Sequence, residues 1–255
     1  MGIGGSNTSS AGDLGEVTLS SPGEEWIEFG PVGERRRIGF HDYDTLYRVP
    51  GLYDRVFGEL LGVTTAEVVV ALYAAALDRL ARPPGLERVL DLGAGSGIGG
   101  ELLRRQGVAC TVAVDLEPAA QMAAARDRPG VYDAYHVGDL TQPETSLWRQ
   151  LGPTRYSALL ALSSVGVDAI SADLMMRVVR ALLAEGGLLA FAVADELLPR
   201  FHDELFAAIP GMEPVATRRY VHRRRTDGSL HRATALVACA AATGGAPSGR
   251  QRATQ

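Results

Sequence analysis

The chain contains no lysine: all 25 of its basic residues are arginine, and its single asparagine is Asn7. That absence removes Schiff-base and pyridoxal-phosphate lysines, a P-loop lysine and a lysine general base. Cysteine is nearly as scarce. Cys110 and Cys239 lie far apart in apolar surroundings, with no Cys-x-x-Cys pair and no His/Cys cluster at ligand spacing, so buried thiols and no metal site are expected. Positive charge is not in excess: the formal charge is −5 and the pI about 5.6, which argues against a nucleic-acid partner. No apolar run approaches a membrane span, and the Gly/Ser-rich start lacks the basic-then-apolar pattern of a leader, so no membrane partner and a cytoplasmic location are expected. The missing lysine fits the codon bias of a GC-rich bacterial genome.

Apolar residues make up 46% of the 255, enough for one sizeable α/β core. Residues 1–24 and 243–255 are small, polar and glycine-rich and read as disordered tails; residues 25–82 read as a cap of helices and residues 83–242 as the core. Helical periodicity covers 65–82 and stops at Pro83-Pro84-Gly85. Strand-like and helix-like runs then alternate: strands over 87–93, 110–116, 134–140, 156–165 and 188–195, with helices over 99–107, 117–130 and 172–187. Such alternation predicts a mainly parallel sheet with helices on both faces. A further helix over 195–211 precedes two strands, 213–225 and 231–241, joined by Thr226-Asp227-Gly228-Ser229, which predicts an antiparallel hairpin at one edge of the sheet.

The segment "VLDLGAGSGIGG" (89–100) sets five glycines in the eight positions behind the first strand. In an open parallel sheet ligands sit beyond the carboxyl ends of the strands, so this loop is the expected site. Two frames fit it. A dinucleotide fingerprint runs through Gly95, Gly97 and Gly100, with Asp115 for the ribose, and implies a NAD-dependent oxidoreductase. No Tyr-x-x-x-Lys pair can accompany it in a lysine-free chain. The other frame is Asp91-Leu92-Gly93-Ala94-Gly95-Ser96-Gly97.

That second frame resembles the first motif of the class I S-adenosylmethionine-dependent methyltransferases, and the likeness extends over most of the chain. Asp115 in "VAVDLEP" matches the family's ribose carboxylate, and Asp139 in "HVGDL" matches the aspartate that accepts from the adenine amino group. The resemblance implies a Rossmann-like α/β sandwich, a seven-stranded sheet with an antiparallel C-terminal hairpin and an N-terminal helical lid. It also implies S-adenosylmethionine as cofactor, held by Asp91, Gly93, Ala94, Gly95, Gly97, Asp115 and Asp139, with Leu116 and Leu140 against the adenine. Ser163, after the fourth strand, is counted among the cofactor-binding residues and stands where many relatives carry a histidine or an acidic group.

Residues 35–62 crowd Phe40, His41, Tyr43, Tyr47, Tyr53 and Phe57 ahead of the sheet. Together with "DRPGVYDAYHVGDL" this stretch resembles the methyltransferase-like group of the Williams–Beuren region, and in related enzymes an N-terminal aromatic approaches the methionine end, which suggests Tyr43 and Tyr47. A methyl acceptor at O or N needs a base only where it must lose a proton, and an imidazole suits that task. His41 is the first candidate and His202 the second. The expected activity is methyl transfer to a small-molecule acceptor in natural-product biosynthesis, by a monomer or homodimer. A methyltransferase-fold protein that binds S-adenosylmethionine as a cyclase or sensor is the remaining alternative.

Overall fold

The computed structural model describes residues 14–20, 26–143, 145–152, 155–162, 164–165, 170–209 and 211–240. The central sheet has seven strands: β4 (Arg88–Leu92), β5 (Cys110–Asp115), β6 (Ala134–Val137), β7 (Tyr156–Ala161), β8 (Leu183–Ala194), β9 (Met212–Arg224) and β10 (Leu230–Ala240). Their order across the sheet is β6-β5-β4-β7-β8-β10-β9. The first five are parallel, as the alternation predicts, and β10 runs antiparallel to both neighbours.

The hairpin lies at one edge of the sheet, as expected. The reversed strand β10 lies inside the sheet and β9 forms the edge. The cause is solvation. β10 carries a continuous buried run from Ala233 to Ala238, whereas β9 exposes Arg218, Arg219 and Arg224, and charge on an edge strand discourages pairing with another chain.

Alternate residues of the strands face opposite helical layers. One layer packs Val69, Tyr73 and Leu77 of α2 (Thr65–Arg79) and Leu103 of α3 (Ile98–Arg105) against Val89, Leu160, Leu188 and Val237. The other packs Leu174, Met175 and Val178 of α6 (Ala172–Leu182) and Phe201 and Leu205 of α7 (Leu198–Ala208) against Leu90, Leu159, Phe191 and Leu236. Helices α4 (Pro118–Asp127) and α5 (Ser146–Leu151) complete the layers. Helix α6 ends five residues short of the predicted 187, because Leu183 already pairs with Tyr156 and Gly186 adopts φ +68°. Pro199 is accommodated in the first turn of α7, where its missing N–H has no intrahelical partner to lose.

The N-terminal part departs furthest from expectation. Its short strands β1 (Thr18–Leu19), β2 (Trp26–Phe29) and β3 (Arg36–Gly39) form an antiparallel sheet, followed by α1 (Tyr43–Arg48) and a π-helical segment Asp54–Leu60. The cap is therefore a sheet-and-helix unit rather than helical alone. It encloses its own core of Val17, Ile27, Phe29, Phe40, Leu46, Leu52, Val56 and Leu61. Residues 14–20, assigned to the tail from sequence, join it through β1 and the Gly30 N–H, which donates to Leu14 O at 2.9 Å. The remaining tail residues, 1–13 and 243–255, lie outside the described residues. No single described helix is long and apolar enough to cross a membrane.

Candidate active site

The glycine loop turns from β4 into α3 with three residues in left-handed backbone conformations: Gly93 (φ +70°), Gly95 (+56°) and Gly97 (+92°). Only glycine takes such values without strain, and space forbids more. A Cβ on Gly93 would stand 2.6 Å from Cβ of Ser164, and one on Gly95 would stand 2.8 Å from the Tyr47 hydroxyl. Strand β5 steadies the turn: Gly93 N and Ala94 N both donate to Val114 O, and Gly95 N donates to Asp115 Oδ2 at 2.8 Å. The other Asp115 oxygen accepts from Glu117 N at 2.9 Å, and burial raises its pKa. Each carboxylate oxygen retains lone-pair capacity for a further donor.

Asp91 is 1% exposed at the end of β4. Its Oδ2 accepts from the Tyr132 hydroxyl at 2.7 Å, while its Oδ1 is buried with no hydrogen-bond partner among the described residues. Burial pushes its pKa up to about 7, against the lowering effect of the Tyr132 bond, and the Asp115 charge adds to the rise. Gly99 makes room for this carboxylate, since a Cβ there would lie 2.5 Å from Oδ2. Tyr135 completes the support by donating from its hydroxyl to Gly95 O at 2.8 Å.

Beside the loop opens a cleft. The loop residues Gly93, Ala94, Gly95 and Ser96 form its floor with Asp91, and Tyr47, Tyr53 and Phe57 form its wall. The wall belongs to a file of rings in face or edge contact: His41 and Tyr43 at 6.0 Å, Tyr43 and Tyr47 at 6.0 Å, Tyr47 and Tyr53 at 4.9 Å, Tyr53 and Phe57 at 4.8 Å. Two arginines at the end of α4 fasten this cap. Arg126 donates to the carbonyls of Tyr47 and Arg48. Arg128 reaches Asp54 Oδ2 at 2.6 Å, Glu101 Oε2 at 3.1 Å and Ser96 O at 3.2 Å, joining cap, helix and glycine loop.

The structure thus brings Asp91, Gly93, Ala94, Gly95 and Tyr47 to one cleft. Gly97 and Asp115 support its floor without lining it, and Tyr43 stacks behind Tyr47. The other expected residues stand elsewhere. Asp139 spends Oδ1 on Thr141 N at 2.7 Å in a turn after β6, and that bonding lowers its pKa. Leu140 is 8% exposed in the core beside Leu147, so it offers no free adenine face, whereas Leu116 is 69% exposed next to Asp115. Ser163 lies outside the described residues. Neither histidine proposed as a base lines the cleft: His41 is exposed at the outer end of the ring file, and His202 stacks on Phe206 of α7 at 4.5 Å.

Sequence reasoning missed Glu67, Leu162 and Val63 as lining residues, because they are separated in the chain from any motif. It also missed a polar cluster at the carboxyl edge of the sheet. Tyr220 donates to Thr65 Oγ1 at 2.9 Å, Thr65 Oγ1 meets His222 Nδ1 at 2.6 Å, and burial pushes the His222 pKa down to about 4. This neutral histidine fastens the start of α2 to the edge strand.

No family model and no curated protein matches the sequence. Solved structures do match the fold. A candidate RNA methyltransferase from Pyrococcus horikoshii is 13% identical with a TM-score of 0.52, over 69% of this chain and 83% of its own. A Thermoplasma acidophilum protein is 16% identical with a TM-score of 0.50, over 67% and 84% of the two chains. An S-adenosylmethionine-dependent methyltransferase from Mesorhizobium loti is 15% identical with a TM-score of 0.48, over 65% and 96%. The strand order and the Pyrococcus likeness together identify the class I methyltransferase fold.

Proposed function

We propose that the cleft binds S-adenosylmethionine and that the chain transfers its methyl group to a small-molecule acceptor at O or N. One observation carries this reading: Asp91, which lines a cleft floored by left-handed glycines, has a buried Oδ1 with no hydrogen-bond partner among the described residues. An unpaired buried carboxylate oxygen is costly unless a ligand donates to it. The cofactor's ammonium is such a donor. Asp115 has lone pairs to accept from ribose hydroxyls, and exposed Leu116 offers an adenine face.

The cofactor supplies an electrophilic methyl on a sulfonium centre. The chain's own contribution is alignment and exclusion of water. Tyr47, Tyr53 and Phe57 close one side of the cleft, and their ring faces favour a cation over an anion. Asp91 adds to the same preference. A dinucleotide fits less well on that ground, since its pyrophosphate would approach Asp91. Gly100, the last glycine of the dinucleotide frame, owes its missing side chain to Tyr132, whose ring would lie 2.6 Å from a Cβ. The composition supports a cytoplasmic enzyme of bacterial natural-product biosynthesis.

Calorimetric titration with S-adenosylmethionine, S-adenosylhomocysteine and NAD in parallel tests the reading. Micromolar binding of both sulfur compounds and none of NAD is expected. Binding of NAD alone overturns it.

A further inference from the structure

The described residues that line the cleft carry two charges, and both are negative: Asp91 and Glu67. None of the described arginines lines it, nor does any described histidine. The two carboxylates differ in station. Asp91 is buried beside the glycine loop, whereas Glu67 is exposed in the first turn of α2 and makes no hydrogen bond or ion pair among the described residues. The same cleft is lined by apolar Val63, Ala66, Ile98 and Leu162 and by the rings of Tyr53 and Phe57.

An anionic acceptor would be repelled by both carboxylates and would find no cation to hold it. A phenol or alcohol would find no imidazole to take its proton. A cation on an apolar body meets a carboxylate, an apolar floor and ring faces in one place. We infer that the acceptor is an amine on an aromatic or alkyl body, its ammonium held by Glu67 and its body held against Tyr53 and Phe57. This rests on the methyl-transfer reading above.

The step balances. The substrate ammonium gives one proton to Glu67, which passes it to solvent, and the freed nitrogen lone pair forms the bond to the methyl carbon. The carbon–sulfur bond breaks with its electron pair on sulfur. The products are an N-methylammonium ion, a neutral thioether and the proton given to solvent, so the two positive charges of the ammonium and the sulfonium are conserved.

The test uses the full chain saturated with S-adenosylhomocysteine, titrated with three matched probes: 2-phenylethylamine, 2-phenylethanol and phenylacetate. The amine should bind at least about tenfold more tightly than the alcohol, and phenylacetate should not bind. Glu67→Gln should remove that preference while S-adenosylhomocysteine affinity stays within about twofold, and Glu67→Asp should restore part of it. Equal or tighter binding of the alcohol or the acid overturns the inference, as does binding of none of the three. An E67Q variant that loses S-adenosylhomocysteine affinity about tenfold assigns Glu67 to the cofactor and likewise overturns it. If the unaltered chain binds no S-adenosylhomocysteine, the methyl-transfer reading itself has failed, before any acceptor is tried.

Discussion

The Tyr132 hydroxyl lies 2.7 Å from Asp91 Oδ2 and accepts the Gly100 N–H at 3.1 Å, so one phenol holds the buried carboxylate and the first turn of α3 together. Removing it with Tyr132→Phe leaves a buried charge with one donor fewer, at a cost of about 1–3 kcal/mol. The loss of Tm should be larger at about pH 8 than at about pH 5, where Asp91 is protonated.

Asp91 also sets a pH dependence. Its folded pKa is raised to about 7, so the folded state holds a proton that the unfolded chain releases at its ordinary value. The stability Asp91 lends is therefore complete below about pH 4 and is lost as pH climbs through about 7. A ligand ammonium favours the charged carboxylate. S-adenosylhomocysteine should thus bind more tightly as pH rises from about 5 to 7 and should release a proton, read by calorimetry in buffers of different ionisation enthalpy. Asp91→Asn should abolish the proton release and weaken binding by about ten- to a hundredfold.

Gly95 and Gly97 separate strain from obstruction. Alanine at either position meets a left-handed backbone, costing about 1–2 kcal/mol. At Gly97 the nearest neighbour of the new methyl is Val131 Cγ2 at 3.3 Å, a side chain that can give way. At Gly95 it is the Tyr47 hydroxyl at 2.8 Å, which has the ring file behind it. Thermal melts should show similar losses for the two variants, while S-adenosylhomocysteine affinity should fall much further for Gly95→Ala.

Arg128→Ala should loosen the cap. It removes the bridge between Asp54, Glu101 and Ser96, and because Asp54 is 40% exposed the cost is only about 1–2 kcal/mol. Hydrogen exchange should speed up over residues 43–60 and hardly change in β7 and β8. Equal acceleration throughout would contradict the bridging role.

Glu87 provides a control at the opposite end of β4. It is 4% exposed and accepts from Arg82, Tyr73 and, at 2.7 Å, Ser157. Glu87→Gln should cost about 1–3 kcal/mol in stability, measured by urea denaturation, with ligand affinity unchanged.

The alternation of apolar strands and capped helices was legible because each run is long enough to carry its period, and the left-handed glycines were legible because no other residue substitutes for them. The strands β1 to β3 were not. Segments of two to four residues, with Arg36 and Arg37 among them, are too short to carry a period, and their pairing depends on a core contributed by α1 and the π-helical segment. Leu140 was misjudged because only the direction of its side chain separates a core position from a ligand face. Glu67 was invisible for another reason. An acidic residue opening a helix is ordinary in sequence, and only the fold brings it opposite Tyr53 and Phe57.

The interior position of β10 also bears on how the chain is made. Translation delivers β9 before the strand that must separate it from β8, so the arginine-rich segment leaves the ribosome with no place to dock. Until β10 follows, β8 presents an apolar margin from Leu188 to Val193 to whatever other chains are nearby. When β10 arrives it satisfies β8 on one side and β9 on the other in a single event. The parallel strands thus depend, for protection from aggregation, on the part of the sheet that is synthesised last.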